Sequence, residues 1–280
     1  MKKVLLLLLI AVATFTLVGC NSSEYKVDGE FLAYEVSIHR NAPMVTTVTV
    51  TIEKGKIVDF NIDARQGSAT ENDGSWTFAW NEKTKKELGD DYGMVANGGA
   101  VSEWYVQAEL IEAYMLENGV DSVETDDETF ITNITGVTMK DGGYTKVAAA
   151  ALELAKEGKF QAVHCNQDDL VIATMLVDSK GNASELLLDV LQGQPVDGTF
   201  EWRSKTKQEL GNDYNMKGAS AIGKEWFEQA QAIAEYVLAN GADSIETDGG
   251  FISNIAGASV RDSGYSAVFE KLFDFANYSV

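Results

Sequence analysis

The chain has 280 residues, with 43 acidic side chains against 22 basic ones and a formal charge of -21 at neutral pH. Such acidity excludes nucleic acid as an expected partner and disfavours electrostatic adhesion to anionic lipid. The two cysteines and two histidines (Cys20, Cys165, His39, His164) follow no zinc spacing, and no catalytic Ser-His-Asp, Cys-His or Walker-type glycine pattern is visible.

Residues 1–19 read as a secretory leader. Lys2 and Lys3 give the positive start, Val4 to Ile10 an apolar run too short for a lasting membrane span, and Leu17-Val18-Gly19-Cys20 the end. The ending resembles a bacterial lipobox, which implies that Cys20 becomes the lipidated first residue of the mature chain. The other reading is an ordinary signal peptide with a cysteine at that place. Residues 20–30, opening on Asn21-Ser22-Ser23-Glu24, are expected to be anchor and tether, which places the protein on the extracellular face of the cell membrane. With Cys20 lipidated, Cys165 has no disulfide partner and reads as a small, partly buried residue.

An internal repeat organises the rest. WNEKTKKELGDDYGM (80–94) matches WRSKTKQELGNDYNM (202–216) at an offset of 122 residues, which persists through Glu103-Trp104 and Glu225-Trp226 and through Asn118-Gly119 and Asn240-Gly241. The chain therefore divides into a first domain, 31–158, and a second, 159–280. In the first, Val48, Val50 and Ile52 alternate, Gly55 turns the chain, and Val58, Phe60 and Ile62 alternate again, predicting a hairpin over 45–63. Leu170 to Val177 and Glu185 to Val190 predict its counterpart. Short helices are expected at Lys83 to Leu88 and Lys205 to Leu210, each stopped by glycine. Longer helices follow with apolar stripes at Trp104, Ala108, Ile111, Met115 and at Trp226, Ala230, Ile233, Val237. Final helices span Tyr144 to Lys156 and Tyr265 to Phe275. The pattern predicts an α+β fold of two tandem domains, with antiparallel hairpins packed against helices.

Between the last two helices of each copy lies a small-residue turn ending in a hydroxyl. It is Thr135-Gly136-Val137-Thr138 in FITNITGVTMKDGGYTKV, and Ala256-Gly257-Ala258-Ser259 in FISNIAGASVRDSGYSAV. A strand-like entry, a glycine turn and a helix start bring backbone N–H groups to one place, which suits a phosphate.

These turns resemble the acceptor motif of the FMN-binding domain family. That family includes periplasmic flavin subunits of the sodium-pumping quinone reductase and of the Rnf complex. A lipobox followed by two such domains is similar to the flavin-carrying lipoproteins of Gram-positive extracellular electron transfer. The resemblance implies that a flavin transferase esterifies FMN through its phosphate to Thr138 and Ser259. Thr135, Gly136, Val137, Gly257 and Ala258 would then shape the site. It implies further that electrons pass from a membrane quinol-linked donor to soluble flavin, iron or another extracellular acceptor. The sequence departs from the family pattern at Thr132 and Ser253, where Asp is usual, and at Lys140 and Arg261, where a hydroxyl is common and where a cation would neutralise the phosphate.

Trp80 and Trp202, with Tyr92 and Tyr214, have two readings: they stack on the flavin rings, or they pack the short helix onto the sheet. Met94 and Met216 read as core or pocket wall. Glu124-Thr125-Asp126 and Glu246-Thr247-Asp248 read as solvated turns, with calcium as the less favoured reading because EF-hand spacing is missing. A rival from another class is a binding lipoprotein without redox activity. In some similar lipoproteins the leader also yields a peptide pheromone, here from Val12 to Gly19.

Overall fold

The computed structural model describes residues 24–280; the expected leader, the stretch read as a pheromone source and Cys20 lie outside the described residues. In the first unit β1 (Gly29–His39), β2 (Ala42–Glu53), β3 (Lys56–Asn72) and β4 (Ser75–Trp80) form an antiparallel meander, followed by α1 (Lys85–Leu88), α2 (Met94–Gly98), α3 (Trp104–Asn118) and α4 (Tyr144–Glu157). The second unit repeats the meander as β5 (Lys159–Asn166), β6 (Asp169–Val177), β7 (Ala183–Val196) and β8 (Thr199–Trp202). It continues with α5 (Lys207–Leu210), α6 (Trp226–Asn240), a two-residue-per-strand hairpin of β9 (Thr247–Asp248) and β10 (Phe251–Ile252), and α7 (Tyr265–Phe275). The architecture is α+β: two similar units, each a curled four-stranded antiparallel sheet packed against helices.

The expected hairpins are the central pairs, β2–β3 and β6–β7, and the sheets extend beyond them on both sides. One residue of the expected alternation is out of phase. Ile57 pairs with Ile52 and Asp59 with Thr51, so Val58 is the extra residue of a β-bulge and points to solvent. Phe60 and Ile62, past the bulge, return to the core.

The short helices begin at Lys85 and Lys207, two residues later than expected, because Thr84 and Thr206 are their N-caps. The Thr84 hydroxyl accepts from Glu87 N–H and the Glu87 carboxylate accepts from Thr84 N–H, a reciprocal box repeated by Thr206 and Glu209. At the boundary, Gly158 ends α4 at φ 72°, and β5 starts at the next residue.

Each sheet is apolar on both faces. Phe31, Ala33, Val48, Val50, Ile52 and Phe60 pack against Trp104, Ile111, Val147 and Ala151 of α3 and α4. On the opposite face, Leu32 and Val45 of the first sheet meet Val163, Leu170 and Ile172 of the second. The units join there along β1 and β5. Phe31 stacks on Phe160 with centroids 4.3 Å apart, and Gln161 Nε2 donates to the Leu32 carbonyl at 3.2 Å.

Two expectations about the aromatic residues are corrected here. Trp80 and Trp202 neither line the hydroxyl turns nor pack the short helices: their rings lie 6.0 Å apart across the join, and Trp202 Nε1 donates to the Ser37 carbonyl. The fold also takes in part of the stretch expected to be tether, since Tyr25 is buried in the core and β1 opens at Gly29.

Candidate functional site

The hydroxyl turns sit on the N-terminal half of the long helix of each unit. Val137 N–H donates to the Ile134 carbonyl at 3.2 Å, closing a turn whose third residue, Gly136, has φ 89°; Ala258, Ile255 and Gly257 (φ 95°) repeat it. A left-handed third position demands glycine, so turn geometry itself accounts for both glycines. The apolar residues beside them anchor the turn. Val137 is buried in the core and Ala258 packs against it, so neither side chain faces a cofactor. Thr135, Gly136 and Thr138 are exposed, whereas Gly257 and Ser259 are half-buried.

A buried glutamine holds each hydroxyl residue in place. Gln107, wholly inaccessible on α3, accepts from Thr138 N–H at 2.7 Å and from its hydroxyl at 3.4 Å, while its Nε2 donates to the Ser102 carbonyl at 3.0 Å. Gln229 on α6 does the same for Ser259, at 2.8 and 3.2 Å, and donates to Ser220 Oγ and the Lys224 carbonyl. Asn133 pins the turn from its other side. Its Nδ2 donates to Tyr114 Oη and the Ser122 carbonyl and its Oδ1 accepts from Glu124 N–H, and Asn254 repeats all three bonds with Tyr236, Ser244 and Glu246. Glu124 and Glu246 thus belong to braced turns, and no group of three metal-ligating side chains occurs among the described residues.

The helix start after each turn is not available to a phosphate. Asp141 accepts from Thr145 N–H and from its hydroxyl, and Asp262 accepts from the N–H groups of Tyr265 and Ser266. A carboxylate already occupies the position that an anion would take. Lys140 and Arg261 are engaged as well, Lys140 Nζ 4.8 Å over the Phe130 ring and the Arg261 guanidinium 4.3 Å over Phe251. Both aromatic–cation pairs stand two residues from the hydroxyls and lie partly open to solvent. The second turn carries an added cation: Lys224 Nζ is 2.9 Å from where a Cβ on Gly257 would lie.

Behind the turns, each unit holds a lysine in an aromatic box. Lys85 Nζ is 5.2 Å from the Tyr92 centroid and 5.1 Å from that of Trp104; Lys207 sits at 5.2 and 5.4 Å from Tyr214 and Trp226. The indole N–H groups of Trp104 and Trp226 donate to the hydroxyls of Tyr144 and Tyr265 at 3.1 Å, and burial pushes both phenols up to about 12. Tyr92 and Tyr214 therefore have their ring faces turned to lysine, and Met94 and Met216 pack partly buried beside them.

Gln107, Asn133, Tyr114 and the lysine boxes were not singled out from the sequence. The signal for them existed in the repeat: Gln107 and Gln229, Tyr114 and Tyr236, and Asn133 and Asn254 are each identical between copies.

The fold and these paired turns define a tandem α+β protein with one candidate acceptor turn per unit. No family model matches the chain, and no curated protein matches it. A solution NMR structure of a protein from Clostridium thermocellum is similar at 30% identity, over 46% of this chain and 91% of that one, with a TM-score of 0.31. Among the described residues no helix is long and apolar enough to cross a membrane.

Proposed function

We propose that this chain is a lipid-anchored extracellular flavoprotein that carries FMN covalently on Thr138 and Ser259. It passes electrons from a membrane quinol-linked donor to soluble flavin, iron or another outside acceptor. One observation supports the reading most: the same turn occurs twice, with its hydroxyl near the surface and its backbone N–H fixed by a fully buried glutamine. A hydroxyl must be reachable by a modifying enzyme and yet held in one place, and both conditions are met on such a turn.

The linkage is a phosphoester. The Thr138 Oγ1–P bond replaces a P–O bond of an activated flavin nucleotide supplied by a flavin transferase, and the leaving group departs with the hydroxyl proton. The flavin ring supplies the redox chemistry; the chain positions it and keeps it from diffusing away. Half-buried Phe130 and exposed Phe251, with their stacked cations, are the aromatic faces open to solvent closest in sequence to the acceptors and would offer the ring a surface.

Intact mass decides. Protein matured beside a working flavin transferase gains about 440 Da per site, FMN less one water, and Thr138→Ala loses one increment. A colourless product without added mass on peptides spanning Thr138 and Ser259 overturns the proposal and leaves a non-redox binding lipoprotein as the reading.

A further inference from the structure

The two units solve the same electrostatic problem differently. In the second, Asp169 pairs across the sheet with Gln192; its Oδ2 accepts from Gln192 Nε2 at 3.5 Å and lies 4.0 Å from Lys207 Nζ. In the first, Gln66 is the counterpart of Gln192, and its cross-strand partner is Met44, whose Sδ accepts from Gln66 Nε2 at 3.7 Å. A thioether thus stands where the twin has a carboxylate. Lys85 is 8% exposed and forms no ion pair among the described residues, with Asp63 acting on it only from longer range.

Beside this lysine lies a cavity of about 660 Å³ whose wall includes His39, Arg40, Gln66, Tyr92, Met94 and Asn97. Tyr92 is the ring beneath Lys85 Nζ, and Gln66 is the residue bonded to Met44. Not one acidic side chain lines the cavity, in a chain of 43 acids and 22 bases. Arg40 stands exposed at its rim, and the charges of Lys85 and Arg40 help hold the His39 pKa below its usual value, after burial. The walls therefore combine an exposed cation, amide donors and the Tyr92 ring, while the buried Lys85, without a counter-ion, sits over that ring outside the lining.

We propose that this cavity binds a small organic carboxylate, which supplies to Lys85 the counter-charge that Asp169 supplies to Lys207. The volume admits a di- or tricarboxylic acid, one carboxylate directed to the Lys85 side and another to Arg40. This site is independent of the hydroxyl turns and of whether they carry flavin.

Succinate, titrated into the unmodified protein at fixed ionic strength with chloride as control, tests it by calorimetry and by amide chemical shifts. Saturable binding is expected, with shifts at Arg40, Tyr92 and Met94 and not at Asn215 or Met216. Arg40→Gln, at an exposed position, weakens binding about threefold. Met44→Asp abolishes it, because the fold then provides its own counter-ion; near-UV circular dichroism confirms that this variant is folded. The reciprocal Asp169→Met frees Lys207 and adds succinate-dependent shifts in the second unit. Absence of saturable binding, or binding that Arg40→Gln and Met44→Asp leave unchanged, overturns the proposal.

Discussion

Raising the pH reads the state of Lys85 directly. Burial lowers its pKa from 10.5 to about 8, against a weaker upward pull from Asp63. An unfolded chain keeps that proton to about pH 10.5, whereas the folded one releases it near pH 8. Between those values the unfolded state binds more protons, so stability rises with pH. At about 1.36 kcal/mol per pH unit of separation, holding Lys85 charged inside the fold costs about 3 kcal/mol at neutral pH. That cost disappears as the pH climbs through the window. The assay is urea unfolding at pH values below and across the window, for the native chain and for Lys85→Met, which fills similar space without charge. Subtracting the two curves removes the other titrating groups. Lys85→Met is expected to be the more stable at neutral pH, with the native chain gaining on it steadily up to about pH 10.5. A difference that stays flat, or that moves the other way, refutes the view of Lys85 as an uncompensated buried cation.

Three further outcomes follow from the hydrogen bonds. Gln107→Leu strands Thr138 N–H and the Ser102 carbonyl, costs about 2 kcal/mol, and speeds hydrogen exchange at the Thr138 amide; unchanged protection there contradicts the bracing role. At the join, Trp202→Phe loses the bond to the Ser37 carbonyl at about 1 kcal/mol. Trp80→Phe is neutral or stabilising in the same denaturation assay, because Trp80 Nε1 is buried without a partner among the described residues.

The long helices were legible in the sequence because apolar residues recur at helical spacing in each, and all but α7, which ends at Ala276, are followed by glycine; the short α2 was not anticipated. Half of the eight meander strands were not. β1 places Phe31 and Ala33 toward the helices and Leu32, Tyr34 and Val36 toward the other unit, so its apolar residues run without a period of two. β5 hides for the same reason, with Phe160 and Ala162 on one face and Val163 and Cys165 on the other. Val58 looked like a core residue because a bulge cannot be read from alternation alone. Around the candidate site the turn and its glycine were anticipated, but only Thr138 is exposed, Ser259 being half-buried, and the expectation of a free helix start failed. Asp141 and Asp262 fill that role three residues past the hydroxyls, and acidic residues before a helix are as readily caps as bystanders. The glutamine braces escaped notice because a polar residue on an otherwise apolar helix face has no local signature; its meaning emerges only when the two copies are laid side by side.

The join between the units has a bearing on how such a chain can change over time. Gly29, at φ 146°, leaves no room for a side chain against Phe160 and the Phe275 carbonyl, and Phe31 lies flat on Phe160. Cut at Gly158, either half would present a bare wall of leucine, valine and isoleucine to water and invite self-association. Each half therefore relies on the other to cover this wall, so neither could be removed or transplanted alone without a new covering for it.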